Sequence, residues 1–172
     1  EGINPQMFGA LLENPTHLYI FRCLWVDNQS RNPKAKAGIE VVNNVIYNWG
    51  SNGLVGGHSG ADHFQDIINN YFVAGPNSSK AFIGMFSATD HVYHAGNVVD
   101  LNKNGELDGR AVCDSDFINA KATLVTARQN TAVITIVSAK EAFETVLANC
   151  GDVLHRDEVD NRLIGYVKSM GT

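Results

Sequence analysis

Gly38-Ile39-Glu40-Val41-Val42-Asn43-Asn44-Val45-Ile46-Tyr47-Asn48-Trp49 is a β-branched run broken in the middle by two adjacent asparagines. β-Branched and aromatic residues fit a pleated, half-buried strand, whereas asparagine favours turns. The pattern returns as Asp66-Ile67-Ile68-Asn69-Asn70-Tyr71-Phe72 and, more loosely, as His94-Ala95-Gly96-Asn97-Val98-Val99. Upstream, Ile20-Phe21-Arg22-Cys23-Leu24-Trp25 falls in the same phase. The equivalent positions are Cys23, Asn44, Asn70 and Asn97, spaced 21, 26 and 27 residues apart. A period in the twenties with one short strand per repeat predicts a solenoid of stacked coils. Adjacent coils would lie about 4.8 Å apart, so equivalent residues stack directly. Stacked asparagines can then bond one another and the backbone of the bend, which accounts for a polar residue recurring inside. The expectation is a ladder with Asn44 and Asn70 buried, and with Val45 over Tyr71.

Composition narrows the rest. A chain of 172 residues is naturally one domain and can bury roughly two thirds of its surface. The net charge of −5 argues against nucleic acid or an anionic membrane as partner. No apolar run approaches the ~18 residues needed to span a bilayer. The opening Glu1-Gly2-Ile3-Asn4-Pro5 has neither the basic start nor the apolar segment of a secretory leader, so a mature chain or a fragment is expected. Cys23, Cys113 and Cys150 allow three alternative single bridges and leave one thiol over. A Cys113–Cys150 bridge is the pairing expected of a secreted chain, and Cys23, at the inward ladder position, reads as a small buried hydrophobe. Asn28-Gln29-Ser30 and Asn77-Ser78-Ser79 are glycosylation sequons, meaningful in a eukaryotic secretory pathway.

Along the chain, Phe8-Gly9-Ala10-Leu11-Leu12 reads as a first strand, and coils run from about 8 to 99. Residues 100–130 read as an irregular loop. Thr131-Ala132-Val133-Ile134-Thr135-Ile136-Val137 reads as one more strand. Ser138 with Glu141 three residues later opens a helix through about Asn149. A second helix is expected from Asp157 to Ser169, burying Val159, Leu163, Tyr166 and Val167, with Gly171 past its end. The whole of 1–172 is thus read as a single domain.

Ser30-Arg31-Asn32-Pro33, followed by Asn43-Asn44-Val45-Ile46-Tyr47-Asn48-Trp49 and Asn69-Asn70-Tyr71, closely resembles the pectate lyases. The closing Ala142-Phe143-Glu144-Thr145-Val146-Leu147-Ala148 and Arg156-Asp157-Glu158-Val159-Asp160-Asn161-Arg162 resemble the same family's bacterial and fungal branch. The resemblance covers nearly the whole chain and corresponds to the C-terminal part of the family's usual length. It implies an all-β fold, a right-handed parallel β-helix truncated at the amino end, with C-terminal helices packed on it. It also implies β-elimination on polygalacturonate, an acidic polysaccharide, by a secreted, calcium-using lyase. The arginine opening the family's Arg-x-Pro motif is its catalytic base, and Arg31 stands there. Lys34 and Lys36 follow as candidate binders of substrate carboxylate, Lys36 where relatives often carry a second arginine. The family's calcium carboxylates and its catalytic-site lysine have no counterpart here. The alternative is a catalytically silent β-helix that binds glycan or self-assembles, because an uncovered amino-terminal coil invites another copy or a polypeptide completing the coils.

Two further signals stand apart from the resemblance. Asp100-Leu101-Asn102-Lys103-Asn104-Gly105-Glu106-Leu107-Asp108 begins like an EF-hand loop, with candidate calcium ligands Asp100, Asn102, Asn104 and Asp108, but Ala111 stands at the closing glutamate position. A solvated turn is the other reading of this loop. Gly57-His58-Ser59-Gly60-Ala61 looks like a nucleophile elbow without its final glycine.

Overall fold

The computed structural model describes residues 6–14, 16–57, 59–130 and 132–170. The chain visits three sheets in rotation. A first round supplies β1 (Leu11–Glu13), β2 (Leu18–Phe21) and β3 (Leu24–Val26). A second supplies β4 (Lys34–Lys36), β5 (Ile39–Val42) and β6 (Val45–Tyr47). A third supplies β7 (Leu54–Val55), β8 (His63–Ile68) and β9 (Tyr71–Val73), and a fourth β10 (Ile83–Gly84), β11 (Asp90–Ala95) and β12 (Val98–Asp100). After them come β13 (Arg110–Ala111), α1 (Asp114–Asn119), β14 (Thr123–Leu124), α2 (Ala139–Asn149) and α3 (Glu158–Lys168).

The first sheet runs β1-β4-β7-β10, the second β2-β5-β8-β11-β14 and the third β3-β6-β9-β12-β13. Among the described residues the strand pairings are parallel except β12 with β13. Parallel strands cannot be joined by tight hairpins, so each return to a sheet takes a full circuit of the chain.

The paired asparagines have separate tasks. Arg22, Asn43, Asn69 and Gly96, at matched corners between the second and third sheets, all have positive φ, between 50° and 64°. Asparagine tolerates this left-handed region better than most residues. Gly96 is required there, because a Cβ would fall 1.7 Å from Asn69 Oδ1. The second residue of each corner forms the expected ladder. Asn44 Nδ2 donates to Asn70 Oδ1 at 3.0 Å, and Asn70 Nδ2 to Asn97 Oδ1 at 2.9 Å. The same oxygens accept the Asn44 and Asn70 backbone N–H groups, and Cys23 ends the row by donating its N–H to Asn44 Oδ1. Asn44 and Asn70 are fully buried, and Val45 lies in register with Tyr71.

Strand alternation sorts the apolar residues onto two faces. Ile46 and Phe72, in register, join Trp49, Leu54, Ile67 and Val99 in the core between the sheets. Their neighbours Val45, Tyr47, Tyr71 and Val73 pack outward against Phe143, Val146 and Leu147 of α2 and Val167 of α3. α2 starts where the sequence places it, with Ser138 Oγ accepting the Glu141 N–H at 3.2 Å. In α3 the buried residues are Ile164 and Val167, while Val159 and Tyr166 are about half exposed. The expected face is rotated because α3 meets the third sheet and α2 on that narrow stripe alone. Gly171 lies outside the described residues.

Two other expectations change. The stretch 100–130 is not wholly irregular, since it contains β13, α1 and β14. Residues 132–137 form no strand. They run across the second sheet as a strap, fastened by side chains instead of a ladder. Glu40 pairs with Arg128 and accepts the Ala132 N–H at 2.7 Å. Asp66 accepts the backbone N–H groups of Gln129 (3.0 Å) and Asn130 (2.6 Å), and Asn130 Nδ2 at 2.9 Å. Asn43 and Asn69 both donate to the Val137 carbonyl, at 2.8 and 2.7 Å. Glu40 and Asp66 are neighbours in register and fully buried.

Candidate active site

Arg31 occupies a left-handed bend, φ 65°, directly before a cis Asn32–Pro33 peptide. The bend is tied on both sides. The Ala10 N–H donates to the Arg31 carbonyl at 3.0 Å and the Asn32 N–H to the Gly53 carbonyl at 3.1 Å. Asn28 Nδ2 donates to Asn32 Oδ1 at 2.8 Å, bracing it from below. The guanidinium carbon lies 4.1 Å from the centroid of the Phe8 ring, a cation–π contact. Asp27 and Glu40, the acids that a merely structural arginine would have paired with, are engaged elsewhere: Asp27 accepts Asn48 Nδ2 at 2.7 Å and Glu40 holds Arg128.

β4 follows at once. Ala35 belongs to the apolar cluster with Ile39, Val41 and Leu12, so alternation sends Lys34 and Lys36 to the opposite, outer face. Lys34 is only 7% exposed. Burial first, then the charges of Lys36 and Arg31, pull its ammonium below the ordinary lysine range. Lys34 and Lys36 thus share the outer face of the first sheet, directly after the bend whose Arg31 charge reaches Lys34. Lys36 also pairs with Glu13 at 3.1 Å, a partner the sequence reading missed. Glu13 and Lys36 are 23 residues apart but directly opposed in the β1–β4 register, so only the register reveals them. A substrate carboxylate at Lys36 would have to compete with Glu13.

No family model matches the chain. It is 36% identical over 174 residues to a probable pectate lyase C of Neosartorya fischeri, across all of this chain and 41% of that protein. Probable pectate lyases C of Aspergillus fumigatus and Aspergillus terreus are 35% and 34% identical over the same full span, covering 41% and 42% of their lengths. The chain matches a portion of a pectate lyase.

It therefore spans about two fifths of the pectate lyases it matches. Its remaining candidate positions are spread out. In the 100–108 loop the Asp108 carboxylate accepts Asn102 Nδ2 at 2.7 Å and Asn104 Nδ2 at 3.1 Å, and these two amides hold it below the usual carboxylate range. Asp100 accepts the Asn102 and Asp108 N–H groups, both at 3.3 Å. The four residues come together, yet both Asp108 oxygens already have donors. Among the described residues no three His, Cys, Asp or Glu side chains gather as a metal group. The residues present therefore do not fit the calcium cage that a pectate lyase implies. His58 of the apparent elbow lies outside the described residues, and Ser59 Oγ accepts the Ala61 N–H.

The cysteines correct one expectation. All three are free: Cys113 is exposed at the start of α1, and Cys150 is half-buried at the end of α2. These helix ends pack on different parts of the molecule, and no Cys113–Cys150 bridge forms. Cys23 is half-buried and not fully inside, because it stands at the edge round of the ladder. No helix among the described residues is long and apolar enough to cross a membrane.

Proposed function

We propose that this chain forms, as one domain, the part of a right-handed parallel β-helix that carries the Arg31 bend of a secreted pectate lyase, and that it acts on polygalacturonate by β-elimination. The observation that supports this most is Lys34 and Lys36 on the outer face of the first sheet directly after the Arg31 bend, in a chain related to pectate lyases over its whole length. In β-elimination a base takes the C5 proton of a galacturonosyl unit. The C4–oxygen bond breaks as the C4=C5 double bond forms, and the released oxygen is protonated. Taking a proton beside a carboxylate builds negative charge, and fixed cations stabilise that charge in the transition state. In this reading Arg31 stands at the proton, and Lys34 and Lys36 at the uronate carboxylates. No step here is assigned to calcium.

The test is absorbance of unsaturated product ends from polygalacturonate in the presence of calcium, together with direct binding of the polymer. The 172-residue chain, with no gathered metal carboxylates among its described residues, is expected to bind the polymer and turn it over slowly. Arg31→Ala should lower the remaining rate by about 10²–10⁴-fold, the usual range for losing a proton-transfer group. Lys34→Ala and Lys36→Ala should weaken binding. Binding indifferent to both lysines, or a rate unchanged in Arg31→Ala, overturns the reading.

A further inference from the structure

The two glycosylation sequons sit in opposite surroundings. Asn28 is half-buried, and its Nδ2, the atom a glycan would be attached to, already donates to Asn32 Oδ1 at 2.8 Å. Asn32 is 1% exposed, and Ser30, the hydroxyl residue of that sequon, is 6% exposed. The space beside the amide is closed as well: a carbon added to Gly9 would lie 3.4 Å from Asn28 Nδ2. A sugar ring attached there would lose the Asn32 bond and displace the Gly9 backbone, and with it the bend that carries Arg31.

Asn77 is exposed, at the tip of the bend joining β9 to β10. Its backbone is pinned from every side. The Asn77 N–H donates to Asn48 Oδ1 at 2.9 Å, and the Ser78 N–H to the Gly75 carbonyl at 3.0 Å. Lys103 Nζ donates to the carbonyls of Pro76 and Ser78, both at 3.3 Å. The Ser79 hydroxyl donates to the Ser51 carbonyl at 2.7 Å. Its own side-chain amide makes no hydrogen bond among the described residues. A glycan on this nitrogen displaces nothing the fold uses.

We propose that Asn77 is an N-glycan attachment site in a eukaryotic secretory pathway, and that Asn28 is not. The transfer joins Nδ2 of Asn77 to the sugar carbon of a lipid-linked oligosaccharide, with the lipid pyrophosphate as leaving group and the amide proton released. The glycan would stand on the same third-to-first-sheet corner as the Arg31 bend, two rounds further along, where Asn48 links the Asn77 N–H to Asp27.

The experiment is secretion of the full chain from a eukaryotic host, followed by mass spectrometry. Release with peptide N-glycosidase in heavy-oxygen water converts each occupied asparagine to a labelled aspartate. The folded, secreted protein should carry the label at Asn77 alone. Asn77→Gln should abolish the glycan mass, and Asn28→Gln should leave it unchanged. Label at Asn28 in folded protein, or an unlabelled Asn77, overturns the inference. If glycan transfer to Asn28 precedes folding, the doubly modified chains should be held back in the cell, and their appearance in the medium would also overturn it.

Discussion

Lys34 and Asn70 show two ways in which a single polar side chain can be held inside. Lys34 carries its charge in a nearly closed site beside two other cations, so its ammonium gives up a proton at lower pH than an ordinary lysine. The protonated form is the one that attracts a uronate. Binding of polygalacturonate should therefore weaken as pH rises through the depressed Lys34 value, below the range where exposed lysines titrate. Lys34→Arg, which keeps its charge at all such pH values, should move that loss upward, and a pH profile unchanged by the substitution would refute the assignment. The linkage to folding has the opposite sense. Between the two lysine values the unfolded chain holds more protons, so stability gains slightly as pH rises. Asn70, by contrast, is neutral and fully satisfied. Asn70→Leu would strand the Asn44 N–H and take one donor each from the Asn97 oxygen and the Val41 carbonyl. It should cost on the order of 1–3 kcal/mol, seen as a lower denaturant midpoint with an unchanged slope; a midpoint within error of the parent would contradict the ladder's energetic role. The ladder was legible in sequence because Asn44, Asn70 and Asn97 recur at one phase. The left-handed task of Asn43 and Asn69 was not, because φ leaves no periodic mark.

At the scale of elements, the strap over the second sheet is where reading by pattern fails. Thr131 to Val137 is a mostly β-branched run of the kind that fits a strand. Ala132 and Val137 instead give their N–H groups to Glu40 and Asn43, acceptors 92 and 94 residues earlier, and that competition cannot be seen locally. The helices were legible because their signals are local: Ser138 and Asp157 each cap the helix they precede. Replacing Asp66 by Ala removes the acceptor for three N–H donors at once, and Glu40→Gln leaves Arg128 without its counter-charge. Glu40→Gln should destabilise by about 3–5 kcal/mol, as losing one partner of a buried ion pair does, and Asp66→Ala by about 1–3 kcal/mol for the N–H groups it leaves unsatisfied. Hydrogen exchange should quicken first at Gln129, Asn130 and Ala132. Unchanged protection there would show that the strap is held by something other than these carboxylates.

For the whole molecule, β1, β2 and β3 are the terminal strands of the three sheets among the described residues. Leu11 and Tyr19 on those strands are 46% and 42% exposed. Unpaired parallel edges of this kind are templates for another strand. The 172-residue chain taken by itself is therefore expected to associate through these strands, and light scattering at micromolar concentration should report a species larger than the monomer. Leu11→Lys with Tyr19→Lys, placing charge on the edge without touching the core, should return it to monomer. A parent chain that is already monomeric would refute this.

Those strap acceptors also set an order of events during synthesis. Glu40 and Asp66 leave the ribosome about 63 to 92 residues before the backbone that covers them. Until then the stacked rounds present two carboxylates to water, where a charge is cheap to keep. Early rounds can thus assemble as the chain emerges, amino end first. They remain hydrated on one side, and only the arrival of residues 128 to 137 seals them. A nascent chain stalled before Gln129 would already hold its asparagine ladder, with the acids of its second sheet still open to water.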